Sequence, residues 1–465
     1  MNEELKVYSP YDNTLIGTLP MTNAEELEKI IETAHVLFQD RKQWIPAHKR
    51  IAILEKARAI MEGKIEELTN KAAQEGGKPY QDSKVEVKRA INGLKIATEE
   101  ISHMKGGQIP MGITESSMNR LAFTIREPIG VVASLSAFNH PLNLIVHQVV
   151  TAFAAGCPVI VKPASKTPFS CLALVEILKE AGVPEGWVQS INCSNELAEK
   201  LIKDHRINFL SFIGSAKVGW SLKSKMAPGT RCALEHGGAA PVIVEPDAVM
   251  EDMVPLLVKG GFYHAGQVCV SVQKVFAHSS IAEKLAKDIA DAAKKLKVGD
   301  PLAKDTEVGP LIQTGEVDRV DEWVKEAISG GAELLCGGKK ISDTCYEPTV
   351  LLNPSNDAKV SKEEIFGPVV CVYAYDDRNE AIDLANSLEL HFQAAVFTKD
   401  LDIALDTVHK LNATAVMVND HTAFRVDWMP FGGRDASGEG MGGIPYSMHE
   451  MTREKLMVFK SKLLP

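Results

Sequence analysis

Cys269 stands in Gly266-Gln267-Val268-Cys269, inside the apolar, glycine-bearing stretch 260–272. A thiol with the ordinary pKa of about 8.5 becomes a nucleophile only where a local field stabilises its thiolate. A glycine close by lets a substrate approach the sulfur. A lone cysteine in apolar sequence is more often inert core, so the reading depends on partners. Glu235, in Ala233-Leu234-Glu235-His236-Gly237-Gly238, lies between a hydrophobic residue and a double glycine. A carboxylate beside an apolar turn has a raised pKa and can serve as a base; the plainer alternative is a surface glutamate at a strand end. Asn139, in Ser136-Ala137-Phe138-Asn139-His140-Pro141, follows an apolar run at 129–135. Its amide could donate to a developing oxyanion, or simply belong to a turn before proline.

Two further segments have the chemistry of anion binding. Lys162-Pro163-Ala164-Ser165-Lys166-Thr167-Pro168 puts two lysines between a strand end and a helix start, which suits a phosphate or ribose. Phe212-Ile213-Gly214-Ser215-Ala216-Lys217-Val218-Gly219 runs from strand through glycine into helix, where first-turn amides can receive a pyrophosphate. Gly438-Glu439-Gly440-Met441-Gly442-Gly443 also satisfies G-x-G-x-x-G. It follows no convincing strand and opens no βαβ unit, so it reads as a flexible turn. The chain has no G-x-S-x-G elbow, H-E-x-x-H helix or Walker lysine loop.

These residues need a scaffold, and the pattern supplies one. Strands at 129–135, 158–162, 188–192 and 209–213 alternate with helices at 143–155, 169–181, 196–203 and 216–225, the signature of a doubly wound parallel sheet. Such sheets bind ligands at the carboxyl ends of their strands, where Asn139, Lys162 and Gly214 fall. Amphipathic helices are expected at 24–39, 47–74 and 84–104. A second α/β region follows, with helices at 281–297 and 317–329, strands near 369–373, 394–397 and 415–418, and an edge strand at 455–459. A length of 465 residues allows two or three domains. A net charge of −10 speaks against a nucleic-acid partner. None of the eight cysteines forms a C-x-x-C pair, which disfavours a metal site and suits a reducing cytoplasm. No signal peptide or membrane-length apolar run is recognised.

In order along the chain, these segments resemble the aldehyde dehydrogenase superfamily. They are Phe138-Asn139, Lys162-Pro163, Phe212-x-Gly214-Ser215, Leu234-Glu235-x-Gly237-Gly238, Gly266-Gln267-x-Cys269, Val308-Gly309-Pro310, Glu364-Ile365-Phe366-Gly367-Pro368 and Pro430-Phe431-Gly432-Gly433. The Lys162–Ser170 run and Phe424-Arg425-x-Asp427-x-Met429-Pro430-Phe431 are most similar to the lactaldehyde, succinate-semialdehyde and phosphonoacetaldehyde members. The resemblance implies an α/β subunit with a doubly wound cofactor domain (1–108 and 126–235), a catalytic domain (236–444) and an oligomerisation flap (109–125 and 445–465). Homodimers or homotetramers are usual. Cys269 is then the nucleophile, Asn139 the oxyanion donor and Glu235 the base that hydrolyses a thioester.

NAD or NADP would lie against Ser136, Phe138, Lys162, Ser165 and Lys166, then Gly214, Ser215, Val218 and Gly237. Glu364 would hold its ribose and Phe366 its nicotinamide. NAD-preferring members often carry glutamate at the position of Ser165, so serine followed by Lys166 favours acceptance of NADP. Arg425 and His140 are the expected contacts for an anionic or hydroxylated aldehyde, unless Arg425 merely pairs with Asp427. A CoA-acylating relative and a non-catalytic protein of the same fold are the alternatives. The first commonly lacks the glutamate, and the intact trio argues against the second. His236, Asp435 and Met441-Gly442 depart from the common pattern.

Overall fold

The computed structural model of the chain describes residues 4–464 and assembles three main sheets from these runs. Residues 1–3 and 465 of the expected domain limits lie outside the described residues. The first sheet has the order Gly438–Glu439, Arg231–Glu235, Ile207–Ile213, Val131–Leu135, Val159–Lys162, Val188–Ser190. The last five strands are parallel; the two-residue first strand joins the edge antiparallel. Side chains along these strands alternate between two cores, as the strand period of two requires. Val132, Val159, Val161 and Phe209 pack with the helices Ala47–Gly63, Tyr80–Glu100 and Phe169–Ala181. Val131, Ala133, Leu135, Ile160 and Leu210 face the other way, against Ala24–Gln39 and Asn195–Lys203. Each fully buried Val, Ile or Leu contributes about 1.5–3 kcal/mol, so a strand buried on both faces must be apolar throughout.

The second sheet has seven strands, ordered Glu333–Cys336, Thr349–Leu352, Val369–Tyr375, Lys274–His278, Pro241–Val244, Gln393–Phe397, Ala415–Val418. Only Glu333–Cys336 runs antiparallel. A third, antiparallel sheet places Arg120–Pro128 between Gln108–Ile109 and Thr452–Lys460. The doubly wound α/β architecture is therefore the one the sequence implies.

Local differences have local causes. The helix expected over 47–74 is two, Ala47–Gly63 and Ile65–Gly76, because the chain tightens at Lys64, whose N–H bonds the Met61 carbonyl after the weak helix former Gly63. The helix expected at 84–104 starts at Tyr80, behind Pro79, and ends at Glu100. The stretch 143–155 is helical but carries a π turn over Val146–Val150. The segment 438–443 is not a free turn: Gly438 pairs with Glu235, and Gly442 bonds Phe431 in both directions.

Candidate active site

A cavity of about 570 Å³ opens where the carboxyl edge of the first sheet meets the starting edge of the second. Leu135 runs into Ser136, Phe138, Asn139 and His140, Ile213 into Gly214 and Ser215, and Arg231–Glu235 ends on Glu235 itself; all of these line the wall. From the opposite side Cys269 precedes the strand Lys274–His278, while Glu364 and Phe366 precede Val369–Tyr375. Cys269, Glu235, Asn139 and Arg425 thus share one cavity, although up to 286 positions separate them.

The turn before the cysteine is strained. His264, Ala265 and Gly266 hold φ values of 49, 54 and 70° in succession. The left-handed region is costly for the two non-glycine residues. A side chain at Gly266 would strike the Gly367 carbonyl. Buried Gln267 locks the turn: its amide donates to the Pro310 carbonyl at 3.1 Å and its oxygen accepts from Ile312 N–H at 2.9 Å. The Asn139 amide donates to the Gln267 carbonyl at 2.9 Å, which ties the amide to the cysteine loop and leaves its second N–H for another acceptor.

Burial governs the titrating groups. It pushes the Cys269 thiol up to about 12, against the opposing pull of the Arg425 guanidinium. It lifts Glu235 to about 6, again opposed by Arg425. The Glu235 carboxylate lies against Gly442, where a Cβ would come within 2.2 Å of Oε1. Glycine at 442 therefore leaves room for the carboxylate in this position. Gly442→Ala should displace it and lower steady-state turnover by about tenfold or more, general-base catalysis contributing roughly 10²–10⁴. Steady-state assay beside a thermal melt checks this; unchanged turnover would show that the carboxylate tolerates the shift.

Arg425 is half-buried and makes no ion pair with any carboxylate among the described residues. Its guanidinium lies 3.4 Å over the Phe431 ring and reaches Nδ1 of His147 at 3.5 Å, and its Nε has no partner. The alternative of an Arg425–Asp427 pair fails because Asp427 is taken. Arg89 holds it bidentately at 3.1 and 2.7 Å, with Asn143 at 3.1 Å and His147 at 2.8 Å. His147 is driven down to about 4 by burial and by Arg425, so at neutral pH it is an uncharged bridge. His140 lines the cavity 3.2 Å from the Tyr263 hydroxyl, and burial and then Lys78 hold it well below its ordinary value. It can offer a hydrogen bond to a substrate but not a charge.

The outer cavity contains most of the other expected residues. Ser136 Oγ is buried without a partner. Gly214 and Ser215 lead into the helix Ala216–Lys223, and Ser215 makes no side-chain cap. Val218 and Gly237 also line it. Glu364 Oε1 accepts from Gly238 N–H at 3.2 Å, and burial raises this carboxyl to about 8. A Cβ on Gly237 would collide with it. Phe366, at φ 47°, meets Phe138 edge-on at 5.9 Å. Lys162, Ser165 and Lys166 are not in the wall. Lys162 is half-buried at its strand end, and the other two are exposed beyond Ala164, which does line the cavity. Sequence reasoning missed Arg89, Arg319, Trp323 and Tyr263, all in the wall. Arg89 and Arg319 sit on helices remote from any glycine-rich motif, so only the fold shows where they point.

The sequence profile of the aldehyde dehydrogenase family matches residues 1–457. The 3-sulfolactaldehyde dehydrogenase of Priestia aryabhattai is 36% identical over 457 residues, covering 98% of this chain and 95% of its own. Among solved structures, aldehyde dehydrogenase 21 of Physcomitrella patens, in complex with its reaction product succinate, superposes with a TM-score of 0.96 at 35% identity, covering 99% of this chain and 96% of its own. Glyceraldehyde-3-phosphate dehydrogenase of Methanocaldococcus jannaschii, complexed with NADP, gives 0.94 at 36%, with 99% and 100% coverage.

Proposed function

The chain belongs to the aldehyde dehydrogenase family, and from that premise we propose that it oxidises a small aldehyde bearing an anionic or hydroxyl group to its carboxylic acid. The observation that carries the substrate class is the Arg425 guanidinium, which makes no ion pair among the described residues and shares one cavity with Cys269 and Glu235. A half-buried guanidinium with no ion-pair partner favours an anionic ligand that supplies one. The named relative and both solved neighbours act on, or hold, molecules with a sulfonate, carboxylate or phosphate.

The outer cavity suits a nicotinamide dinucleotide. The orphaned Ser136 hydroxyl and the uncapped start of Ala216–Lys223 are places where such a group approaches closely. Glu364 and Phe366 would orient it. In our reading, segments 1–108 and 126–235 form the cofactor domain, 236–444 the catalytic domain, and 109–125 with 445–465 an oligomerisation flap that gives a homodimer or homotetramer. No helix among the described residues is long and apolar enough to cross a membrane. Eight free thiols suit a reducing cytoplasm, where we place the enzyme.

The Cys269 sulfur adds to the aldehyde carbon as a thiolate, its proton passing to a base of the cavity, and gives a thiohemiacetal. The free Asn139 N–H and the Cys269 backbone N–H hold the oxyanion, each such donor lowering the barrier by about 2.7–4 kcal/mol. Bound in the outer cavity, the cofactor supplies the acceptor for the hydride that leaves this carbon, so that a thioester remains on Cys269. Glu235 takes a proton from water, which attacks the thioester; the acid leaves and the sulfur is regenerated.

The test is a panel of 3-sulfolactaldehyde, lactaldehyde, succinate semialdehyde and propanal, with NAD and NADP, with and without CoA. An acid product and the highest kcat/KM on an anionic or hydroxylated member are expected. Preference for propanal would overturn the substrate class, and an acyl-CoA product the hydrolytic step. In the same panel NADP should be used at least as well as NAD. Ser165 carries no charge to repel a 2′-phosphate, and exposed Lys166 has no ion-pair partner among the described residues. Lys166→Ala should lower kcat/KM for NADP by about three- to tenfold, a small effect because the contact is solvent-screened, and leave NAD unchanged. A strong preference for NAD in the wild type would refute this.

A further inference from the structure

A second cavity, of about 260 Å³, lies on the seven-stranded sheet and shares no wall residue with the first. Lys274 and Phe276 project into it from alternate positions of Lys274–His278. Tyr373, the register partner of Phe276 on the next strand, stacks on it at 5.1 Å. Ser361 closes the floor, and Asn356 and Leu384 form part of the rim.

The charge in this cavity is unusual. Lys274 is only 4% exposed. Its ammonium donates to the Ser361 carbonyl, and no carboxylate among the described residues lies within ion-pair distance. The other buried lysine among the described residues, Lys78, is neutralised by Glu86. An unpaired buried ammonium is costly, yet the cavity beside it is open, so a counter-ion has room to enter. Burial lowers this amine to about 8, which leaves it largely protonated at neutral pH. The Tyr373 hydroxyl is turned to Ser361 Oγ at 2.7 Å, and that oxygen donates onward to the Ser355 carbonyl at 2.8 Å. No acidic side chain lines the wall.

We propose that this cavity is a second ligand site, which takes a small organic carboxylate, its anion on Lys274 and its apolar tail against Phe276 and Leu384. The test is calorimetric titration with hexanoate. It is run on the full-length Arg425→Ala protein, because Arg425 in the first cavity also attracts carboxylates; the result is then independent of the proposed substrate class. One hexanoate per chain should bind, and hexan-1-ol should bind at least tenfold more weakly. Lys274→Met should weaken hexanoate at least tenfold. Leu384→Trp, which fills the cavity from its exposed rim and keeps the lysine, should do the same and decides the matter if Lys274→Met does not fold. Absence of binding, equal binding of the alcohol, or affinity unchanged by Leu384→Trp would show that Lys274 serves only to cap the Ser361 carbonyl.

Discussion

Cys269→Ala is expected to abolish aldehyde oxidation, by a factor on the order of 10⁶ as for other nucleophiles that act within a catalytic unit, while the protein still folds. The cysteine is half-buried in a small cluster of Val268, Val270, Phe392 and Phe431, so losing one sulfur removes little packing. Glu235→Gln separates the two halves of the reaction. The amide cannot take a proton from water, so steady-state turnover should fall by roughly 10²–10⁴. The first half does not need that water, so rapid mixing should still give a burst of reduced cofactor approaching one per chain. An active Cys269→Ala protein would sink the mechanism. A Glu235→Gln protein with neither burst nor turnover would move the glutamate into the first half.

The pH profile follows from the same residue. Burial holds Glu235 up at about 6. A base acts in its ionised form, so thioester hydrolysis should be independent of pH above that value and fall tenfold per unit below it. The burst amplitude should not share this limb. The Cys269 thiol, pushed up to about 12 by burial, is protonated at rest. Its activation therefore depends on the charges around it, which makes Arg425 more than a substrate contact.

The sequence and the structure agree most closely where an element is determined by its own residues. The apolar runs of the first sheet are buried on both faces, so each is legible as a strand, and Gly156 and Gly182 end their helices in the left-handed conformation that favours glycine. That Cys269, Glu235 and Asn139 line one cavity is foreshadowed in the sequence, since each sits near a glycine or at a strand end. Other features arise only from distant packing. His264 and Ala265 adopt positive φ without being glycine, held by the Gln267 bonds to 310 and 312. Gly442 looked like part of a loose glycine run, but its meaning comes from Glu235, two hundred residues away. Arg89 looked like one more charge on an amphipathic helix, and its role as the partner of Asp427, which leaves Arg425 free, required the fold.

Arg425→Ala should lower kcat/KM for an anionic aldehyde by about ten- to a hundredfold more than for propanal. A charge-assisted hydrogen bond contributes roughly 1.5–3 kcal/mol, and this guanidinium has no carboxylate partner to be disrupted when it is removed. Propanal should also be slowed, though less, for a reason that only the structure shows. Arg425 is the one charge that lowers both Cys269 and Glu235 against the effect of burial. Without it the thiol is harder to ionise and the carboxyl is pushed further up, so the acid limb of thioester hydrolysis should move above pH 6 for every substrate. The two contributions separate cleanly: the difference between substrates reports the anion contact, and the displaced limb, common to all, reports the field. Arg425→Lys keeps the charge but loses the planar fork, so it should restore the limb toward its wild-type position and recover only part of the preference for the anion. If Arg425→Ala slows both aldehydes equally at a pH well above the limb, the guanidinium tunes the catalytic groups and does not hold the substrate.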